Sequence, residues 1–409
     1  MIVLHPARVV VGSGGRVLEG HSVVVENGRI ALIGRRADVA VPAHARVVDA
    51  PAATLLPGLI DAHVHLAYAG ALDGASYKLD TVTRSYAALA LRAAAHGRET
   101  LRWGVTAVRD LNAPGEVVID LRDAVAAGHV VGPRIRACGR GLSVTAGHMD
   151  KGGFAPHVTL ADVNAPCDGP DAFRAGVREQ VKRGADCIKI NLCGGSTRDL
   201  TRPYKQEMTD AEVSAAIEEA HRLERHVAAH TSGGPSVTMA VRAGLDSVEH
   251  GHWIDDATAD LMAERGCTYV PTLAVNEVNF EVGRERLGGS DASWAWLERS
   301  RSDKWDSLER VRRAGAPIAL GTDAGFMLPH GAAVGRELEL LVQGGLSPLA
   351  ALESATSVGA KLLGLDAGEV AAGRLADLLL VDGDPTRDVG LLRDPARLRT
   401  FLGGVEIGA

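Results

Sequence analysis

Two histidines one residue apart close an apolar run that reads Leu55-Leu56-Pro57-Gly58-Leu59-Ile60-Asp61-Ala62-His63-Val64-His65-Leu66. Along a strand, side chains i and i+2 share a face, so His63 and His65 point the same way and can hold one metal ion. Alone, such a pair is as compatible with chance. Three further residues of ligand type end other apolar runs: His230 after His226-Val227-Ala228-Ala229, His250 after Ser247-Val248-Glu249, and Asp323 after Ile318-Ala319-Leu320-Gly321-Thr322. Lys189, in Cys187-Ile188-Lys189-Ile190-Asn191, brings different chemistry. An ammonium in an apolar strand is costly unless it is paired or its pKa falls. A lysine lowered in this way can take up CO₂ as a carbamate, whose two oxygens can bridge two cations; the other reading of Lys189 is an internal ion pair.

These residues need a scaffold that brings them together. From Leu55 onward, strand-like runs alternate with helical stretches, the pattern of a parallel sheet with crossover helices. Eight candidate strands are present: Leu59 to His65, Val105 to Asp110, Arg134 to Cys138, Cys187 to Asn191, His226 to His230, Ser247 to His250, Thr268 to Pro271 and Pro317 to Asp323. Eight parallel strands close a (β/α)₈ TIM barrel, in which every strand's carboxyl end converges on one opening. The expected class is therefore α/β, and His63, His65, Lys189, His230, His250 and Asp323 become neighbours. Thr209-Asp210-Ala211-Glu212 predicts a capping box, and Ser347-Pro348 predicts the N-cap and first residue of a late helix. The stretch from Asn276 to Ser302 is polar with little strand character and reads as a lid or an excursion on the active-site face.

The two ends have another grammar. Before Thr54 the runs are short and β-rich, broken by Gly14-Gly15 and Asn27-Gly28, which predicts hairpins. After Leu365 short β-like segments return, notably Ala376 to Val381. Residues 1–54 plus 365–409 are expected to form one small β-sandwich domain, and residues 55–364 the barrel.

Composition excludes several classes of function. The 409 residues carry a formal net charge of −7 without a Lys/Arg cluster, which leaves no electrostatic footprint for nucleic acid. No apolar run is long enough to span a membrane, and the N-terminus does not read as a signal peptide. Five cysteines without CxxC spacing argue against a disulfide framework and a thiolate zinc site, and fit a reducing cytoplasm. The expected partner is a small-molecule substrate; association into a homo-oligomer is left open.

The ligand-type residues, taken in order with LLPGLIDAHVHL at 55–66, GVTAVRD at 104–110, KINLCGG at 189–195, EHG at 249–251, GTDAG at 321–325 and GRLADLLLVDGDP at 373–385, resemble the amidohydrolase superfamily over nearly the whole chain. The pattern is similar to its binuclear members with a carboxylated lysine, in the group that includes imidazolonepropionase-related proteins, prolidase-like dipeptidases and ochratoxin-type amidases. The resemblance implies that His63, His65 and Asp323 hold the more buried of two divalent ions, zinc being the expected metal, that His230 and His250 hold the other, and that carboxylated Lys189 and a hydroxide bridge both. It implies attack by that hydroxide on an amide-type C–N bond, in an N-acyl amino acid, a dipeptide or a cyclic amide, with Asp323 as general base. It also implies substrate contact by His148, and more weakly by His330; Tyr204 and His252 lie in expected mouth-side loops. Many dipeptidase-like relatives carry tyrosine or histidine two residues after the fifth-strand histidine, whereas Ser232 stands there in this chain and makes a smaller substrate contact.

Other readings are a hydrolytic deaminase or a carbamate or ester hydrolase on the same scaffold, a non-catalytic scaffold protein, and a sugar-phosphate barrel enzyme. Deaminases of the superfamily generally lack the bridging lysine, the scaffold would have lost ligands present here, and Asp323 would repel a phosphate.

Overall fold

The computed structural model describes residues 1–70, 80, 83–150, 164–194, 205–287 and 291–408. The chain opens with β1 (Ile2–Val10), β2 (Val17–Glu19), β3 (His21–Glu26), β4 (Arg29–Arg35) and β5 (Arg46–Pro57). There follow β6 (Leu59–Val64), β7 (Val105–Asp110), β8 (Arg134–Ala137), β9 (Gly141–Ser143), β10 (Asn164–Pro166), β11 (Cys187–Asn191), β12 (His226–Gly233), β13 (Ser247–Trp253) and β14 (Thr268–Val270). It closes with β15 (Leu378–Asp382), β16 (Leu398–Leu402) and β17 (Val405–Glu406).

The chain ends share one eight-stranded sheet in the order β17-β16-β15-β5-β1-β3-β4, with β2 paired to β1. Its β3–β4 hairpin turns on Asn27 and Gly28, both at positive φ (51° and 75°), as the Asn-Gly pair predicts. Leu4, Val9, Val23, Leu55, Leu378 and Phe401 form an apolar cluster of their own on this sheet.

The middle of the chain alternates strand and helix. β6, β7 and β8 pair in parallel, and a second sheet runs β10-β9-β11-β12-β13-β14, also parallel. The run expected as an eighth strand forms no continuous ladder. It makes two parallel bridges instead, Ile318 with Tyr269 of β14 and Ala324 with Val64 of β6, and so lies against the outer strands of both sheets. Parallel pairing puts the carboxyl ends on one side; Asn191 pairs with His230, and His230 with Glu249. The expected helix starts are present: Thr209 and Glu212 form the capping box, and Ser347 caps the helix Pro348–Ser354. The Asn276 to Ser302 stretch is helical where described, in Leu273–Val282, Arg284–Leu287 and the first half of Asp291–Ala314. Among the described residues no helix is long and apolar enough to cross a membrane.

Glycine is required where the 321–325 segment meets β6. Gly325 has φ 118°, and a Cβ there would stand 2.4 Å from the His65 carbonyl oxygen, with backbone on both sides of the contact. Gly325→Ala is expected to lower stability by about 1–3 kcal/mol through strain and overpacking. Urea denaturation of wild type and variant checks this; equal midpoints would contradict the packing described.

Candidate metal centre and active site

His63 and His65 leave the end of β6 with ring centroids 5.3 Å apart, and both are buried. His65 Nε2 lies 2.9 Å from Asp323 Oδ1, and His63 Nε2 lies 3.5 Å from the same oxygen. Ligand-type atoms of these three residues all fall within 4.8 Å of one another. His250 stands 4.9 Å from His63 and 4.6 Å from His230 between ring centroids, which extends the cluster to four imidazoles. Burial pushes His63 down to about 4 and holds His230 and His250 well below the ordinary histidine value. Neutral imidazoles are the form that ligates metals. Burial pushes Asp323 upward, but the His65 hydrogen bond and the neighbouring Lys189 ammonium help to outweigh it and keep the carboxyl below its usual range.

Lys189 projects from β11 into this cluster. It is 3% exposed, and its Nζ has no hydrogen-bond partner among the described residues. Burial drives its ammonium pKa down, against the pull of Glu249. A buried amine of lowered pKa, with no partner among the described residues, has the unprotonated form that reaction with CO₂ would need. The donor set fits a divalent metal centre: nitrogen and carboxylate ligands converge, and Lys189 Nζ, without a partner among the described residues, borders the same cavity.

Beneath the imidazoles lies a pair that reasoning from sequence did not assign. Arg109 of β7 donates to the Ala62 carbonyl at 2.8 Å, to Ser247 Oγ at 3.0 Å and to Glu249 Oε1 at 2.8 Å. Glu249 Oε2 in turn meets His63 Nδ1 at 2.8 Å. This fixes the tautomer: with Nδ1–H donated to the carboxylate, His63 Nε2 is the bare nitrogen on the Asp323 side. Burial pushes Glu249 up, but Arg109 and His63 bring it to about 2, so it stays ionised. Glu249 and its neighbour His250 both reach the centre because alternation is broken between them. His250 has φ 69° and Gly251 φ 51°. Asp323 (φ 59°) and Thr272 (φ 49°) are likewise left-handed, and Met149 (φ 68°) on the cavity wall also has positive φ, so strain gathers at the site. Two opposite charges inside the apolar runs 105–110 and 247–250 were the available signal for Arg109 and Glu249.

The cluster floors a cavity of about 1090 Å³ when the open space at its mouth is counted. Leu111, Met149, Trp296, Leu297, Phe326 and Met327 give it apolar walls. His148 lines it and stacks on His230 with centroids 4.0 Å apart, and its backbone N–H donates to Glu207. Ser232 also lines it, tied by its backbone N–H to Cys193 Sγ at 3.0 Å. His252, expected in a loop, is instead a buried residue of β13 that lines the cavity. His330 is not brought to the cavity: it is buried against His96, with rings stacked at 4.3 Å, and its Nε2 faces the Tyr68 carbonyl at 3.4 Å. Tyr204 lies outside the described residues. All five cysteines are free.

Residues 54–407 match the model of the amidohydrolase family, and the chain belongs to that family. It is a hydrolase of amide-type C–N bonds that depends on metal. The chain is 29% identical to the ochratoxinase of Aspergillus niger over 409 residues, 95% of this chain and 83% of that protein. It is 27% identical to the imidazolonepropionase of Streptomyces avermitilis over 391 residues, 90% of this chain and 81% of the relative. Among solved structures, a Xaa-Pro dipeptidase with methionine bound in its active site superposes with a TM-score of 0.89 at 30% identity, covering both chains fully.

The histidine pKa values set a pH dependence for the metal-free protein. His63, His230 and His250 are lowered in the folded state, so below the unfolded value of 6.5 the unfolded chain binds more protons and folding loses stability. For His63 the loss runs from 6.5 down to about 4. Burial raises Asp61, Asp110 and Glu337 to about 7, so these carboxyls oppose the histidines over the same range, and the histidine contribution is read site by site. Histidine NMR of chelator-treated protein is expected to show His63, His230 and His250 neutral at pH 5.5, and protonated rings there would contradict neutral, buried imidazoles.

Proposed function

We propose that this chain hydrolyses the amide bond of a small molecule, an N-acyl amino acid, a dipeptide or a cyclic amide, at a centre of two divalent ions. Support for two ions rests on one observation above the others: Lys189 Nζ is buried among four imidazoles without a partner among the described residues. His63, His65 and Asp323 would hold one ion, His230 and His250 the other, and a carbamate on Lys189 would join them. Zinc suits nitrogen and oxygen donors of this kind. Bound divalent cations supply an acidified water and polarise the scissile carbonyl.

The side chains have separate tasks. Asp323, ionised and beside His65, takes the proton of the attacking water and returns it to the leaving nitrogen. Glu249 holds His63 in the tautomer that leaves Nε2 bare. His148 and Ser232 border the substrate, whose apolar part packs against Trp296 and Phe326. The relatives named ochratoxinase, imidazolonepropionase and Xaa-Pro dipeptidase support the bond class. We propose further that the parallel strands and residues 317–324 close an eight-stranded barrel over residues 55–364. The chain ends, 1–54 and 365–409, would form a β-sandwich domain. Unpaired cysteines support a reducing cytoplasm as its compartment.

The test is turnover of N-acetyl-L-leucine, leucyl-proline and a lactam by protein reconstituted with zinc and bicarbonate. At least one is expected to be cleaved, and Asp323→Asn is expected to lower kcat by about 10²–10⁴-fold while the fold is retained. Activity confined to ester or aminoheterocycle substrates would overturn the assignment.

A further inference from the structure

A buried ammonium outside the metal cluster determines what a second histidine of the cavity can do. Lys304 comes from the helix Asp291–Ala314 and is 1% exposed. Its Nζ donates to the Thr272 carbonyl at 2.9 Å, to Thr272 Oγ1 at 3.4 Å and to Asn276 Oδ1 at 2.9 Å. An ammonium has three donors and no acceptor, so each of these contacts has one direction. Asn276 must therefore turn its oxygen to Lys304 and its amide nitrogen the other way. That nitrogen, Nδ2, lies 3.3 Å from His252 Nε2.

The direction carries through to the imidazole. An amide NH₂ only donates, so His252 Nε2 accepts and is bare, and the ring proton of the neutral imidazole sits on Nδ1. A proton on Nε2 would set donor against donor. His252 is 6% exposed and lines the cavity, and its Nδ1 is buried with no hydrogen-bond partner among the described residues. Protein interiors seldom leave a donor unmatched, and those that remain call for an acceptor from elsewhere.

We propose that His252 is a substrate-binding residue whose Nδ1–H, covered by protein atoms in this structure, is taken up by an oxygen acceptor of the bound molecule, a carbonyl or carboxylate, and that Lys304 is the positioning residue that fixes this tautomer through Asn276. The binding half rests on the cavity being the substrate site, as proposed above; the tautomer half does not. The same ammonium also steadies Thr272, whose Oγ1 meets His250 Nδ1 at 2.7 Å, so one cation from this helix bears on both histidines of β13.

Nitrogen NMR of protein labelled with ¹⁵N-histidine tests this, with the His252 signal assigned by its loss in His252→Phe. Wild type is expected to carry the proton on Nδ1. Asn276→Asp, whose carboxylate still accepts from Lys304 but can no longer donate to His252, is expected to move that proton to Nε2. With N-acetyl-L-leucine as probe, the Nδ1 resonance should shift on binding. His252→Phe should raise KM about ten-fold with kcat nearly unchanged and metal content equal to wild type. A proton on Nε2 in wild type, or the same tautomer in Asn276→Asp, overturns the positioning role of Lys304. An unchanged KM in His252→Phe overturns the binding role. Absence of amide turnover by wild type overturns instead the proposed function, while the tautomer stands or falls by the spectrum.

Discussion

The ion pair between Arg109 and Glu249 lies under the histidine cluster, and the rest of the centre depends on it. Both side chains are out of water, where an unpaired charge would be expensive, and the pair also gathers Ser247, the Ala62 carbonyl and His63 into one network. Its first consequence is a His63 ring of defined orientation. Its second is electrostatic: Glu249 remains a carboxylate, and its pull on Lys189 opposes, without cancelling, the burial that lowers the lysine. Removing either partner would leave a buried charge uncompensated, so the pair serves stability and ligand geometry through the same contacts.

Strain is concentrated around this network. His250, Thr272 and Asp323 adopt left-handed backbone conformations that side chains with a Cβ rarely take. Each gains something regular strand geometry would deny. His250 reaches the same centre as Glu249, Asp323 turns its carboxylate onto His65, and Thr272 offers both its carbonyl and its hydroxyl to Lys304 while receiving His250. Such conformations persist only where surrounding contacts over-determine them, and here the bonds from Lys304 and the close glycine packing at 321–325 do so.

How much of this is legible in the sequence follows from how local each signal is. His63, His65, His230, His250 and Asp323 can be found because imidazoles and a carboxylate make poor core filling at the ends of apolar runs, and the alternation of strand and helix says that those ends meet. Lys189 stands out because a cation in an apolar strand is costly. Arg109 and Glu249 are harder, since strict alternation would send Glu249 and His250 to opposite faces; only the positive φ at His250 brings them together, and no residue type announces it. Lys304 is hidden among the many charges of a long helix, and which of them is buried depends on packing against Thr272 and Asn276. His330 follows the last strand-like run and so reads as mouth-side, yet it stacks on His96 and faces the Tyr68 carbonyl, beside a Gly331 of positive φ packed closely on Trp103.

The central claim is that a modified Lys189 joins two ions in a site already shaped by neutral imidazoles. Metal stoichiometry after reconstitution with zinc and bicarbonate, followed by removal of free metal and elemental analysis, tests it most directly. Wild-type protein is predicted to retain two ions per chain and Lys189→Ala no more than one. One ion per chain in wild type, or two retained by Lys189→Ala, would contradict the account.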